Sequence, residues 1–212
     1  MTVRIKICGI TNPHDAHLAS ELGADMIGLN FYVRSPRYIS MARAWEILRA
    51  TVACEAVGVF VNEPLGQVEK WLQGTGIISA QLHGDHAEIP PSAFRVFPAF
   101  SIRGENSLTE ITAYLERVRS AHATDPPAIL VDAHVPGMHG GTGKTAPWRL
   151  LAGFDPGVPV ILAGGLTPDN VVEAIRIVRP WGVDVASGVE SAPGQKDPEK
   201  MRRFIENARA AI

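Results

Sequence analysis

Along residues 3–8 apolar and polar side chains alternate, with Val3, Ile5 and Ile7 on one face and Arg4, Lys6 and Cys8 on the other. That period of two predicts a strand whose apolar face packs against another layer. Thr11-Asn12-Pro13 then opens a helix that closes at Gly23, and a second apolar run follows at 26–31. The pattern repeats to the end of the chain. Strands are expected over 56–61, 77–82, 95–100, 128–132, 158–163 and 183–187, and helices over 41–50, 64–73, from Ser107 to about 122, 148–152, from Thr167 to about 178, and from Asp197 to about 210. Ser107 with Glu110 reads as a capping box, and Thr167 with Pro168 as an N-cap followed by a first-turn proline.

Eight strands that alternate with helices, with no run of neighbouring strands, imply a parallel sheet. A closed barrel fits better than an open doubly wound sheet. No Gly-x-Gly-x-x-Gly follows the first strand, and polar residues collect at many strand ends, which a barrel brings to one face. The expected fold is α/β, a single (β/α)8 TIM barrel, with residues 1–212 forming one catalytic domain. Strand parity then turns Lys6, Cys8, Gln81, His83, Leu130, Asp132 and Asp184 inward, and Val183 and Val185 outward against the helices. Closure makes the first and eighth strands neighbours, so Lys6 is expected to pair with Asp184, since a buried lysine needs a counter-charge.

Composition narrows the function. The chain has 212 residues, 46% of them hydrophobic, and a formal net charge of −2, which gives one sizeable core and no electrostatic footprint for nucleic acid or an anionic membrane. A small-molecule partner is expected instead. Cys8 and Cys54 are too few for a disulfide scaffold, and Arg4 and Lys6 lie inside the first apolar run rather than ahead of it, unlike a signal peptide. No apolar run reaches the roughly 20 residues of a membrane helix. The expectation is a cytoplasmic monomer.

Candidate chemistry gathers at the strand ends. Gly164-Gly165 after the seventh strand, and Ser187-Gly188 closing the eighth, could offer backbone N–H groups to a phosphate, as the last two loops of such barrels often do. Valine at either Gly165 or Gly188 is expected to block the ligand with little loss of folding. Cys8 reads either as a small buried hydrophobe or as a thiolate base made acidic by Lys6 and the glycine turns. Asp132 reads as a loop cap or a general acid, and His83 as a satisfied rim histidine or a site residue. Arg37 could be a solvated charge, or could fork onto a carboxylate. Gly140-Gly-Thr-Gly-Lys-Thr145 fails as a Walker A loop, because Met138 stands where glycine is needed; it reads as a substrate lid or a plain surface loop. The seven histidines show no metal-ligand spacing.

Taken together, Lys6-Ile-Cys-Gly-Ile-Thr11, Ser35-Pro-Arg-Tyr38, Gly58-Val-Phe-Val-Asn62, Gln81-Leu-His-Gly84, Gly140-Gly-Thr-Gly-Lys144, Leu162-Ala-Gly-Gly-Leu166 and the stretch from Asp184 to Gly194 resemble the phosphoribosylanthranilate isomerase family of tryptophan biosynthesis. The resemblance covers nearly the whole chain. It implies a cofactor-free Amadori rearrangement with Cys8 as general base and Asp132 as general acid. It also implies a substrate-contacting set of Arg37, His83, Gly141, Gly164, Gly165, Asp184, Ser187 and Gly188, with Arg37 on the anthranilate carboxylate. The chain departs from the family at Ala146-Pro147-Trp148, where Phe-Asp-Trp is usual. Two rival readings are a bifunctional isomerase serving histidine and tryptophan synthesis, which expects an aspartate base on the first strand, and a non-catalytic sugar-phosphate-binding barrel.

Overall fold

Eight parallel strands hydrogen-bond in chain order, and the eighth returns to the first, closing a barrel. The computed structural model describes residues 2–84, 94–122, 126–133 and 148–211. In order these residues form β1 (Arg4–Cys8), α1 (Pro13–Glu21), β2 (Met26–Asn30), α2 (Met41–Ala50), β3 (Glu55–Val61), α3 (Leu65–Thr75), β4 (Ser79–His83), β5 (Arg95–Ser101), α4 (Glu105–His122), β6 (Ile129–Asp132), α5 (Trp148–Leu151), β7 (Val160–Ala163), α6 (Val171–Val178), β8 (Gly182–Val185), a hairpin of β9 (Glu190–Ala192) and β10 (Gln195–Lys196), and α7 (Pro198–Ala210).

The alternation along each strand separates two cores. Ile5, Ile7, Ile27, Leu29, Val131, Leu162 and Val183 face outward into the layer beneath the helices. Met26, Val57, Phe97, Ala99, Leu130 and Ile161 fill the barrel itself. Each fully buried Ile, Leu or Val contributes about 1.5–3 kcal/mol. The interior fill is mostly of modest size towards the C-terminal strand ends, where Ala99 and Ala163 leave room for polar groups. Cys8 lies opposite Gly28 and Lys6 opposite Asp184 in the strand registers. The inward parity of Lys6, Leu130 and Asp184 is as expected from the alternation.

Three local expectations fail. The sixth helix does not start at Thr167-Pro168; it starts at Val171, and the Asn170 side chain instead accepts from Thr167 N–H at 2.8 Å and donates to Gly165 O at 2.9 Å, holding a turn ahead of the helix. The fourth helix begins at Glu105, ahead of Ser107, whose hydroxyl accepts from Arg103 N–H at 3.1 Å rather than serving as N-cap. The eighth strand, expected to reach Ser187, stops at Val185, and the chain makes a 3-10 turn over Ser187–Val189 and then the β9–β10 hairpin.

Candidate active site

The C-terminal ends of the strands carry every candidate group that lies in the described residues. Going round the rim, Asp132 ends β6, Gly164 and Gly165 follow β7, Ser187 and Gly188 follow β8, Cys8 ends β1, and Arg37 sits on the loop after β2. These are five consecutive positions on one arc. His83 ends β4, outside that arc, and its Nε2 meets the carboxamide of the buried Gln81. Gly141 lies outside the described residues, as does the whole stretch 134–147.

Cys8 is nearly buried, and its thiol shares a small space with Lys6. Gly28, its neighbour across the ladder, makes that space: a Cβ there would stand 2.7 Å from Cys8 Sγ and 3.0 Å from Lys6 Nζ. Lys6 is 1% exposed and donates to Asp184 Oδ1 at 2.8 Å. Burial pushes the Lys6 ammonium down, but the Asp184 carboxylate and Cys8 outweigh it, so the lysine stays charged. For Cys8 the balance runs the other way. Burial pushes the thiol up, and the opposing pull of Lys6 and Lys196 does not overcome it, so the expectation of an acidified thiol is corrected. A cation near a thiol lowers its pKa only if it outweighs the desolvation that brought the two together. Asp184, expected to touch substrate, spends Oδ1 on Lys6.

The two glycine turns touch each other. Gly164 and Gly165 have φ of +92° and +66°, in the left-handed region glycine favours. A Cβ on Gly188 would collide with the Leu166 carbonyl oxygen of the turn after β7. Valine at Gly188 would therefore disturb folding, contrary to expectation, because the missing side chain is what lets the turns abut. The N–H groups of Gly165, Ser187 and Gly188 donate to no protein acceptor among the described residues. Unspent backbone donors on two abutting turns suit an anion.

Arg37 does fork onto a carboxylate, but it is the protein's own. Its Nε donates to Glu190 Oε1 at 2.7 Å and its Nη2 to Glu190 Oε2 at 2.6 Å. Lys196, fully buried, donates to the same Oε1 at 3.1 Å, to Cys8 O at 2.6 Å and to Ala186 O at 3.0 Å. Burial pushes the Glu190 carboxyl up, yet Arg37 and Lys196 together hold it below the usual carboxylate range. Sequence reasoning missed Glu190 and Lys196. The only local signal was a charged residue on each side of Pro193-Gly194, and nothing in it shows a partner 153 residues away.

The family model for N-(5'phosphoribosyl)anthranilate (PRA) isomerase matches residues 5–207 of this chain. The chain belongs to the PRA isomerase family. An N-(5'-phosphoribosyl)anthranilate isomerase of Pelobacter propionicus is 43% identical over 210 residues, covering 98% of this chain and 96% of its own. Among solved structures, a phosphoribosyl anthranilate isomerase from Thermotoga maritima superposes with a TM-score of 0.83 at 38% identity, covering 98% of this chain and 99% of its own. Another, solved in complex with reduced 1-(o-carboxyphenylamino)-1-deoxyribulose 5-phosphate, has a TM-score of 0.81 at 35% identity, with the same coverage of both chains. Within the PRA isomerase family this chain keeps cysteine at the end of β1, so it lacks the first-strand aspartate expected of the bifunctional rival.

Proposed function

We infer that this PRA isomerase converts N-(5-phospho-β-D-ribosyl)anthranilate to 1-(2-carboxyphenylamino)-1-deoxy-D-ribulose 5-phosphate, with Cys8 as base and Asp132 as acid. The supporting observation is the order of groups on the rim. The glycine turns lie between Asp132 and Cys8, so a sugar whose phosphate sits on those turns has the acid towards one flank and the base towards the other. Arg37 lies beyond Cys8, on the side where the aromatic ring would extend.

Asp132 gives a proton to the ribose ring oxygen as its bond to C1′ breaks, and the nitrogen lone pair forms the iminium. Cys8 thiolate takes the C2′ proton, leaving an enolamine that tautomerises to the ketone. One proton enters and one leaves, so no cofactor or redox partner is needed. Lys6 stabilises the thiolate when it forms, while Asp184 keeps Lys6 charged and aimed. His83 closes the far side of the site. Residues 1–212 act as one catalytic unit, and Gly141 belongs to the segment that meets the substrate.

The protein is proposed to work as a monomer in the cytoplasm. The exposed large hydrophobics Val33, Tyr38, Trp45, Val52, Ile78 and Trp181 are scattered along the chain, on α2 and on several loops. Among the described residues no helix is long and apolar enough to cross a membrane.

Loss of substrate fluorescence catalysed by the purified protein tests the reaction. Binding of the reduced product without turnover would instead identify a non-catalytic sugar-phosphate barrel.

A further inference from the structure

We propose that Glu190 is a positioning residue for substrate recognition: it grips one edge of Arg37 so that the other edge faces the anthranilate carboxylate. The proposal rests on the reading of Arg37 as the carboxylate-binding group.

A guanidinium carries five N–H donors in one plane. Glu190 takes the side edge, Nε with one hydrogen of Nη2. The two hydrogens of Nη1 and the second of Nη2 remain, along the end edge, and have no acceptor among the described residues. Two of these point in parallel and match the two oxygens of a second carboxylate. Arg37 can therefore hold Glu190 and a ligand carboxylate at once, without exchanging one for the other.

Glu190 is itself fixed from several sides. Its Oε1 also accepts from Gly194 N–H at 3.3 Å and from Lys196 at 3.1 Å, and its side chain is 4% exposed against 21% for Arg37. Lys196 in turn binds the Cys8 carbonyl, so the arginine is referenced to the strand that bears the base. The Arg37 stem lies over Gly9, where a Cβ would clash with Arg37 Cδ. These contacts remove the rotamer freedom of Arg37 on folding rather than on ligand binding.

The test compares two stable ligands: the reductive-amination product of ribose 5-phosphate with anthranilate, and its carboxyl-free counterpart made with aniline. Dissociation constants are measured by titration calorimetry on the full chain. In Glu190→Gln the amide turns an N–H towards an arginine N–H, so the side-edge grip is lost. The preference for the carboxylated ligand should fall about tenfold, the scale of a charge-assisted fork. The carboxyl-free ligand should bind within about twofold of wild type, which a general disruption of the site would not allow. In steady state the loss should fall more on KM than on kcat.

An unchanged preference would overturn the proposal. So would a stronger one, because it would mean that Glu190 competes with the ligand for Arg37. If Glu190→Gln does not fold, Glu190→Asp, which keeps the charge facing Lys196 but withdraws the carboxylate from Arg37, is judged by the same ratio. Arg37→Met separates the two levels of inference. A preference that survives Arg37→Met refutes the arginine reading itself; one that collapses there but persists in Glu190→Gln refutes the positioning role alone.

Discussion

The two ends of the barrel are each tied by arginine and carboxylate, and they use the pairing differently. At the N-terminal end Asp25 receives Arg4 at 2.7 Å, and Arg209 and the Ile5 N–H at 2.8 Å, while Arg209 also donates to the carbonyls of Val3 and Gly23. Arg209 is spent on chain closure, while Arg4, half exposed, gives Asp25 one hydrogen bond. At the C-terminal end Glu190 and Lys196 are buried beneath a half-buried Arg37, which leaves one guanidinium edge unused. The first cluster joins the two ends of the chain to the barrel floor; the second holds Arg37, the proposed carboxylate-binding group, at the rim. Substitutions at the first should change stability alone, and at the second kinetics as well.

The strongest contrast should come from the reacting groups. Cys8→Ala and Asp132→Ala are each expected to lower kcat by about 10²–10⁴-fold, the range for general acid and base groups, with much smaller changes in KM. Near-normal kcat in a folded Cys8→Ala enzyme would remove it as base.

Next comes Lys6→Met, which leaves Asp184 buried without its partner and should cost about 3–5 kcal/mol in denaturant unfolding. Replacing both, Lys6→Met with Asp184→Leu, should recover most of that loss while turnover stays impaired. With Cys8 as the proposed base acting as thiolate, and burial holding its thiol up, kcat/KM should fall as pH drops, with its midpoint above the ~8.5 of a free thiol. Any Lys6 variant that folds should move this midpoint further to the alkaline side. A midpoint in the neutral range would show that the cations outweigh burial after all.

Gly188→Val should destabilise the protein by about 1–3 kcal/mol by forcing the two glycine turns apart, and weaken phosphate-bearing inhibitors more than their dephospho forms. The smallest effect belongs to the N-terminal end. Arg209→Ala should cost about 1 kcal/mol of stability and leave kcat/KM unchanged, so a kinetic effect there would break the distinction between the two ends.

Strand parity made much of the interior legible, because a period of two with an apolar outer face leaves little choice about which residues look inward. Lys6, Asp184 and the barrel order followed from that and from closure. Each failure has its own physical cause. Thr167-Pro168 satisfies the rules for a helix start, and Thr167 O does accept from Val171 N–H at 3.1 Å, but the regular helix begins only at Val171. The β9–β10 hairpin is two and three residues long, too short for any period to show. The partner of Arg37 was hidden because its side chain fits solvent, substrate or Glu190 equally well on sequence grounds. The acidity of Cys8 was misjudged because cations can be counted along a sequence while desolvation cannot.

Closure of β1 on β8 also bears on how the molecule comes into being. During synthesis β1 emerges first, and Lys6 has no counter-charge until Asp184 arrives 178 residues later. The carbonyl of Cys8 waits longer still for Lys196. Contacts so distant in sequence form late and slow the final step of folding. Until then the first strand presents an apolar face and an open edge, the kind of surface that pairs with other chains. The surroundings of Cys8, the two abutting glycine turns and the Arg37–Glu190 pair are therefore completed together, at the moment the barrel shuts, and a chain stalled before β8 holds the cysteine without the proposed site.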